Sequence, residues 1–158
     1  MNKILICYFS ASGITKKVAE HIATITRGDL FEIEPMELYT TEDLNWNNNH
    51  SRSSIEMMSD TIRPKIKNKV NKVEDYPVIL LGYPIWWDLA PRIVNSFIEE
   101  HNLEGKKVYI FATSGGSGVE NSFSDLKRRY PNINFISAKR LSPSISNDEI
   151  LTWINSTI

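Results

Sequence analysis

Two periodicities alternate along the chain. Ile4 to Phe9 is an unbroken apolar run of strand length, the pattern of a strand covered on both faces. After a polar turn at Ser10 to Gly13, the apolar residues Ile14, Val18, Ile22 and Ile25 recur at helical spacing, and Gly28 follows where a helix C-cap glycine belongs. Leu30 and Ile33 mark a second short strand that runs to Glu34 and stops at Pro35. The alternation then returns further along. Val78 to Leu81 predicts a buried strand ending in Gly82-Tyr83-Pro84, and Ile93, Phe97 and Ile98 a helix that stops before Gly105. Val108 to Ala112 predicts another buried strand, and Phe123, Leu126 and Tyr130 a helix closed by Pro131. Phe135 and Ile136 form a weak last strand, and Ile150, Leu151 and Ile154 lie on a helix beginning near Asn147 or Asp148.

Two stretches read differently. Residues 36–60 hold the polar cluster Asn45 to Ser54, interrupted only by Trp46, which predicts a long loop and, over Thr40 to Ser54, a lid. From Pro64, the residues Ile66, Val70 and Val73 recur at helical spacing between Lys65, Lys67, Lys69 and Lys72, predicting a short amphipathic helix with a solvated lysine face.

Strands too apolar for a sheet that faces water, alternating with helices, call for an α/β fold with a parallel sheet covered on both sides. A single domain over residues 1–158 is expected. In such folds ligands bind beyond the carboxyl ends of the strands, where the strand order reverses. The loops after the first, third and fourth strands therefore hold the candidate chemistry.

Composition narrows the partners. With 18 basic and 19 acidic residues the formal net charge is −1, so no broad basic field favours nucleic acid or an anionic membrane. The lone Cys7 sits inside the first strand as a small buried hydrophobe; it offers no disulfide within the chain and fits a reducing compartment. Ile4 to Phe9 is too short for a signal-peptide core, and Pro77 to Trp87 is too short and too broken to span a bilayer, so a cytoplasmic protein without membrane insertion is expected. His21, His50 and His101 stand at no metal-binding spacing and read as surface residues, so no metal site is expected.

The first loop reads Ser10-Ala11-Ser12-Gly13-Ile14-Thr15. Three hydroxyls and a run of backbone N–H groups converge at a helix N-terminus, where unsatisfied donors and the positive dipole end favour a phosphate. Gly13 permits the backbone angles that aim several N–H groups inward. A simple helix cap would need only one hydroxyl. A P-loop would need Lys after its second glycine, and a C-x5-R phosphatase loop would need Arg where Gly13 stands. The second loop carries Pro84-Ile85-Trp86-Trp87, flat apolar surface for a planar ring, with one of the two tryptophans expected in the core. The third, Thr113-Ser114-Gly115-Gly116-Ser117-Gly118, looks like a second phosphate cradle or a place where backbone meets a ligand closely. Tyr83 and Trp46 are placed to approach or cover such a ligand. No side chain stands out as a catalytic acid or base.

The motif S-x-S-G-x-T directly after the first strand resembles the T/S-x-T-G-x-T phosphate loop of flavodoxins, with Ser12 in place of the usual threonine. The resemblance runs over nearly the whole chain and implies a flavodoxin-like, doubly wound five-stranded sheet of order 2-1-3-4-5. It implies flavin mononucleotide (FMN), with its phosphate on Ser10 to Thr15, its ring against Pro84 to Trp87, and Thr113 to Gly118 beside the pyrimidine side. P-I-W-W together with T-S-G-G-S-G most resembles a flavodoxin-like family distinct from the small electron carriers. Carrier flavodoxins are strongly acidic and have a glycine-containing peptide beside the flavin that flips on reduction. This chain is nearly neutral and has no glycine between Pro84 and Pro91. The resemblance thus implies an FMN-dependent oxidoreductase working by two electrons, of the NAD(P)H:quinone kind, with NAD(P)H and a quinone-like acceptor or a redox partner protein. Dimerisation near the flavin is common among flavin reductases of this fold. The alternatives are a one-electron carrier serving a partner reductase, and a binding module that kept the fold without the cofactor.

Overall fold

In the computed structural model, which describes residues 3–155, the strands are β1 (Ile4–Tyr8), β2 (Asp29–Glu32), β3 (Val78–Pro84), β4 (Lys107–Thr113) and β5 (Asn134–Arg140). The helices are α1 (Ile14–Thr26), α2 (Arg52–Met58), α3 (Arg92–Glu100), α4 (Glu120–Arg129) and α5 (Asn147–Asn155). All neighbouring strands pair in parallel, in the order β2-β1-β3-β4-β5. This is the expected flavodoxin-like doubly wound sheet, and the strand order reverses between β1 and β3.

Alternate residues of each central strand feed two separate apolar layers. Leu5, Cys7, Ile79, Leu81 and Ile110 pack with Ile93, Phe97 and Leu126 on one face, while Ile6, Leu80, Tyr109 and Phe111 pack with Val18, Ile22 and Ile150 on the other. Both faces are therefore dry, which is why these strands read as continuous apolar runs. Cys7 is fully buried, and burial pushes its thiol far up, so it behaves as a small hydrophobe.

Several expectations are corrected. Gly28 is not the left-handed cap of α1; Arg27 takes that conformation, at φ 57°. A Cβ on residue 28 would lie 2.5 Å from Ile6 Cδ1 and 2.9 Å from the Ile4 carbonyl oxygen, so close approach to β1 is what demands the glycine. The helix predicted from Pro64 is absent. Residues 65–67 run extended instead, with the Met36 N–H donating to the Lys65 carbonyl and the Lys67 N–H to the Glu34 carbonyl, both at 2.8 Å. Asn68 completes the pairing, donating to the Glu32 carbonyl and accepting from the Glu34 N–H. The open end of β2 offers this segment hydrogen bonds that outweigh the helix it could form, and short isolated helices are marginal in any case. Ile66, Val70 and Val73 still pack on the core, and only a 3₁₀ turn forms, at Val73–Asp75.

The predicted loop at 36–60 contains α2, whose N-cap Ser51 accepts from the Ser54 N–H. Ser53, Ser54 and Glu56 are buried there, so the end of the polar cluster belongs to a packed helix, while Asn45 to His50 lie in exposed turns as expected.

His101 is also not a surface residue; it is 9% exposed. Its Nε2 accepts the Val70 N–H at 3.0 Å, which leaves Nδ1 to donate to the Phe97 carbonyl at 2.9 Å. This pins the 65–73 segment to α3 and requires the neutral imidazole. Burial holds its pKa below the ordinary 6.5, against the opposing pull of the Phe97 carbonyl and Glu100. The neutral form's contribution is therefore complete above pH 6.5 and is lost as pH falls through the depressed folded value, by up to about 1.4 kcal/mol per pH unit. Urea denaturation at pH 7.5 and pH 5 should show a larger acid loss for the unaltered protein than for His101→Gln. Equal losses would contradict this.

Candidate functional site

The loops after β1, β3 and β4 meet at one edge of the sheet. In the first, Gly13 takes φ 93°, and the Ser10 hydroxyl accepts the N–H groups of Gly13 at 3.1 Å and Lys16 at 3.2 Å. Ser10 thus braces the loop from inside. Thr15 is buried, and its hydroxyl pairs at 2.7 Å with that of Thr113, 98 residues away. Ser10 is half-buried and Thr15 buried, while Ser12 is exposed at the mouth of α1, where first-turn N–H groups lack helical partners.

The second loop is tied to the third by the Ile85 N–H, which donates to the Thr113 carbonyl at 2.9 Å. Trp86 and Leu89 exchange hydrogen bonds in both directions, at 2.9 and 3.0 Å, around Trp87 at φ 49° and Asp88 at φ 63°. This is a two-residue turn with both central residues left-handed, the type I′ geometry that Asn-Gly ordinarily fills. The glycine missing from the sequence is replaced by two strained residues.

The two tryptophans differ in burial. Trp86 is half-buried and packs edge-to-face on Phe9 at 5.7 Å and on Tyr39 at 5.5 Å, against the core. Trp87 is 48% exposed. It lines a pocket of about 410 Å³ with Pro84, Ile85 and Trp86, with Ala11 and Ser12 of the first loop, and with Leu44, Trp46 and Ser53. Among the described residues, no charged side chain lines it. A second pocket, about 570 Å³, opens on the other side of Ala11 between Phe9, Tyr39, Glu32, Glu34 and Lys67.

The third loop does not line the 410 Å³ pocket and joins the site through Thr113. Gly115 and Gly116 are exposed, have no positive φ, and a Cβ on either would meet nothing within 4 Å. Nothing in the chain itself requires glycine at these positions. Tyr83 stands apart from the site: it is buried, and its hydroxyl pairs with that of Ser122 at 2.9 Å. Trp46 lies at the site, and so do Leu44 and Ser53 from the Thr40 to Ser54 stretch expected to form a lid; Tyr39, just outside that stretch, was not foreseen and lines the neighbouring pocket.

The flavodoxin family model matches residues 3–157. A crystal structure from Bacteroides eggerthii, described as a flavoprotein, is 47% identical with a TM-score of 0.97, covering 99% of this chain and 98% of its own. Another, from Bacteroides uniformis and described likewise, is 41% identical with a TM-score of 0.92, covering 98% of each chain. A Lactobacillus acidophilus flavoprotein solved in complex with FMN is 24% identical with a TM-score of 0.77, covering 98% of this chain and 99% of its own; at that identity the likeness is one of fold. A search of curated protein sequences finds no match.

The left-handed turn yields a stability test. Asp88→Val places a β-branched residue at φ 63° and should cost about 1–2 kcal/mol, whereas Asp88→Gly should be neutral or gain up to about 1 kcal/mol, read from urea midpoints. Equal effects of Val and Gly would rule out the strain.

Proposed function

The chain belongs to the flavodoxin family, and on that premise we propose that it is an FMN-binding redox protein. The observation that carries this reading is the sharing of Ala11 and Ser12: they belong at once to an anion-favouring helix N-terminus and to an uncharged pocket walled by indoles. The residues fit the group. Ser12 and the first-turn N–H groups of α1 would hold the phosphate, in a loop that Ser10, Gly13 and Thr15 keep in shape and that Ala11 and Ile14 complete. Pro84, Ile85, Trp86 and Trp87 would bear on the ring. The Thr113 to Gly118 loop would approach its polar edge, and the open space around Gly115 and Gly116 suits that role. The FMN of the Lactobacillus acidophilus neighbour supports the same choice. When bound, FMN supplies the redox chemistry, and the protein supplies orientation and surroundings.

The purified protein, reconstituted with FMN, should show flavin absorption in the visible. Trp87→Ala should weaken FMN binding by roughly 2–10-fold, the worth of one aromatic contact. Absence of flavin bands after reconstitution would remove the reading.

Two-electron chemistry is the finer proposal, with NAD(P)H as donor and a quinone-like acceptor, in the cytoplasm; a redox partner protein and a homodimer meeting near the flavin belong to the same reading. Three features support it. The charge is near neutral, so no acidic field steers the chain to a basic electron-transfer partner. The pocket is uncharged and suits a planar neutral ring. The 86–89 turn is held in one conformation, because rotating the Trp87-Asp88 peptide would give a type II′ turn with Trp87 in a region open essentially to glycine. The backbone there keeps its hydrogen-bonding groups fixed whatever the redox state. Anaerobic NADPH should bleach the flavin bands without a partner enzyme, and stoichiometric dithionite should convert the oxidised spectrum directly to the fully reduced one. A long-wavelength band at half reduction, or no response to NADPH, would favour the one-electron carrier.

A further inference from the structure

We propose that Glu56, carried on α2, is a positioning residue for the flavin ring, acting through Tyr39 and Arg52 on the aromatic wall at Trp86; this rests on the FMN reading above. Glu56 is 6% exposed, and both its oxygens are engaged. Oε1 accepts the Tyr39 hydroxyl at 2.5 Å and Oε2 accepts the Arg52 Nε–H at 3.0 Å. The Arg52 guanidinium also lies over the Tyr39 ring, 3.7 Å from its centre, and donates to the Glu37 carbonyl at 2.8 Å. Tyr39 is therefore gripped at its hydroxyl and across its face. Burial and the Glu56 hydrogen bond both push the phenol well above its ordinary range, so it stays a donor to the carboxylate.

What this grip holds is the partition between the two pockets. Tyr39, Phe9 and Trp86 are mutually edge-to-face, with ring centres 5.5–5.7 Å apart. Phe9 and Tyr39 face the 570 Å³ pocket, and Trp86 faces the 410 Å³ one. The 36–58 segment adds no strand to the sheet, yet it supplies Tyr39, Arg52 and Glu56 to this one place. Charge-assisted bonds to a buried carboxylate are short and directional, so they fix ring orientation more narrowly than apolar packing alone. The orientation of Trp86 against the flavin is then set by a carboxylate that touches neither.

The experiment compares the unaltered protein with Glu56→Ala, Glu56→Gln and the stability control Ile150→Val, which lies in the opposite apolar layer. Three quantities are read: FMN affinity by fluorescence quenching, near-UV circular dichroism of the apoprotein, and visible circular dichroism of the bound flavin. Glu56→Ala should raise the FMN Kd about tenfold and alter both dichroism spectra. Glu56→Gln, which keeps an acceptor for Tyr39, should recover most of the affinity and the spectral shape. Ile150→Val should lower the urea midpoint and leave the FMN Kd and the spectra in place. An FMN Kd and spectra unchanged in Glu56→Ala, or shifted no more than in Ile150→Val, would overturn the positioning role while the flavin reading stands. Failure of the unaltered protein to take up FMN would overturn the flavin reading, and this one with it.

Discussion

Parallel strands can be joined only by crossovers, so the carboxyl ends of β1, β3 and β4 all emerge at one edge of the sheet, and three loops distant in sequence are forced to meet there. The meeting is made specific by two hydrogen bonds on one residue. Thr113 pairs its hydroxyl with Thr15 and offers its carbonyl to Ile85, so the end of β4 is the node to which the other two loops are fastened. The loops that carry the exposed Ser12 and Trp87 are thereby fastened to the end of β4.

Much of this was legible in the chain because the sheet is dry on both faces. β1, β3 and β4 announce themselves as unbroken apolar runs, and α1 as a periodic one. β5 was weak for the converse reason: as an outer strand it carries Ser137, Lys139 and Arg140, only part of which faces apolar neighbours. The segment after Pro64 had helical spacing, but spacing records which residues turn inward, not where backbone hydrogen bonds go. The free end of β2 decided that second question. Gly28 was legible as necessary and misread in its reason, since close approach and a left-handed turn leave the same residue in the sequence.

At the site, the three loops could be picked out one by one, because hydroxyls, glycines and paired tryptophans are local features of the chain. The division of labour among the hydroxyls could not. Ser10 and Thr15 spend their hydrogen bonds inside the protein, and only the folded chain distinguishes them from Ser12. The Tyr39–Glu56–Arg52 network was equally hidden, since its partners lie 4 to 17 residues apart in a stretch that looks merely polar. The strain at Trp87 and Asp88 lay between these cases: the lack of glycine was visible, and the turn that bears it was not.

The pairing of residues 34–36 with 65–68 also has a consequence beyond the site. β2 is an outermost strand, and a bare outer strand is a template on which another chain can add itself. Here the template is taken at its far end by the chain's own extended segment, with the Asn68 amide mimicking a backbone partner and Lys65, Lys67 and Lys69 placing charge along the rim. Self-pairing and charge at the end of an outer strand are the features that disfavour edge-to-edge pairing between chains, a matter of crowded solution more than of the chemistry of any ligand.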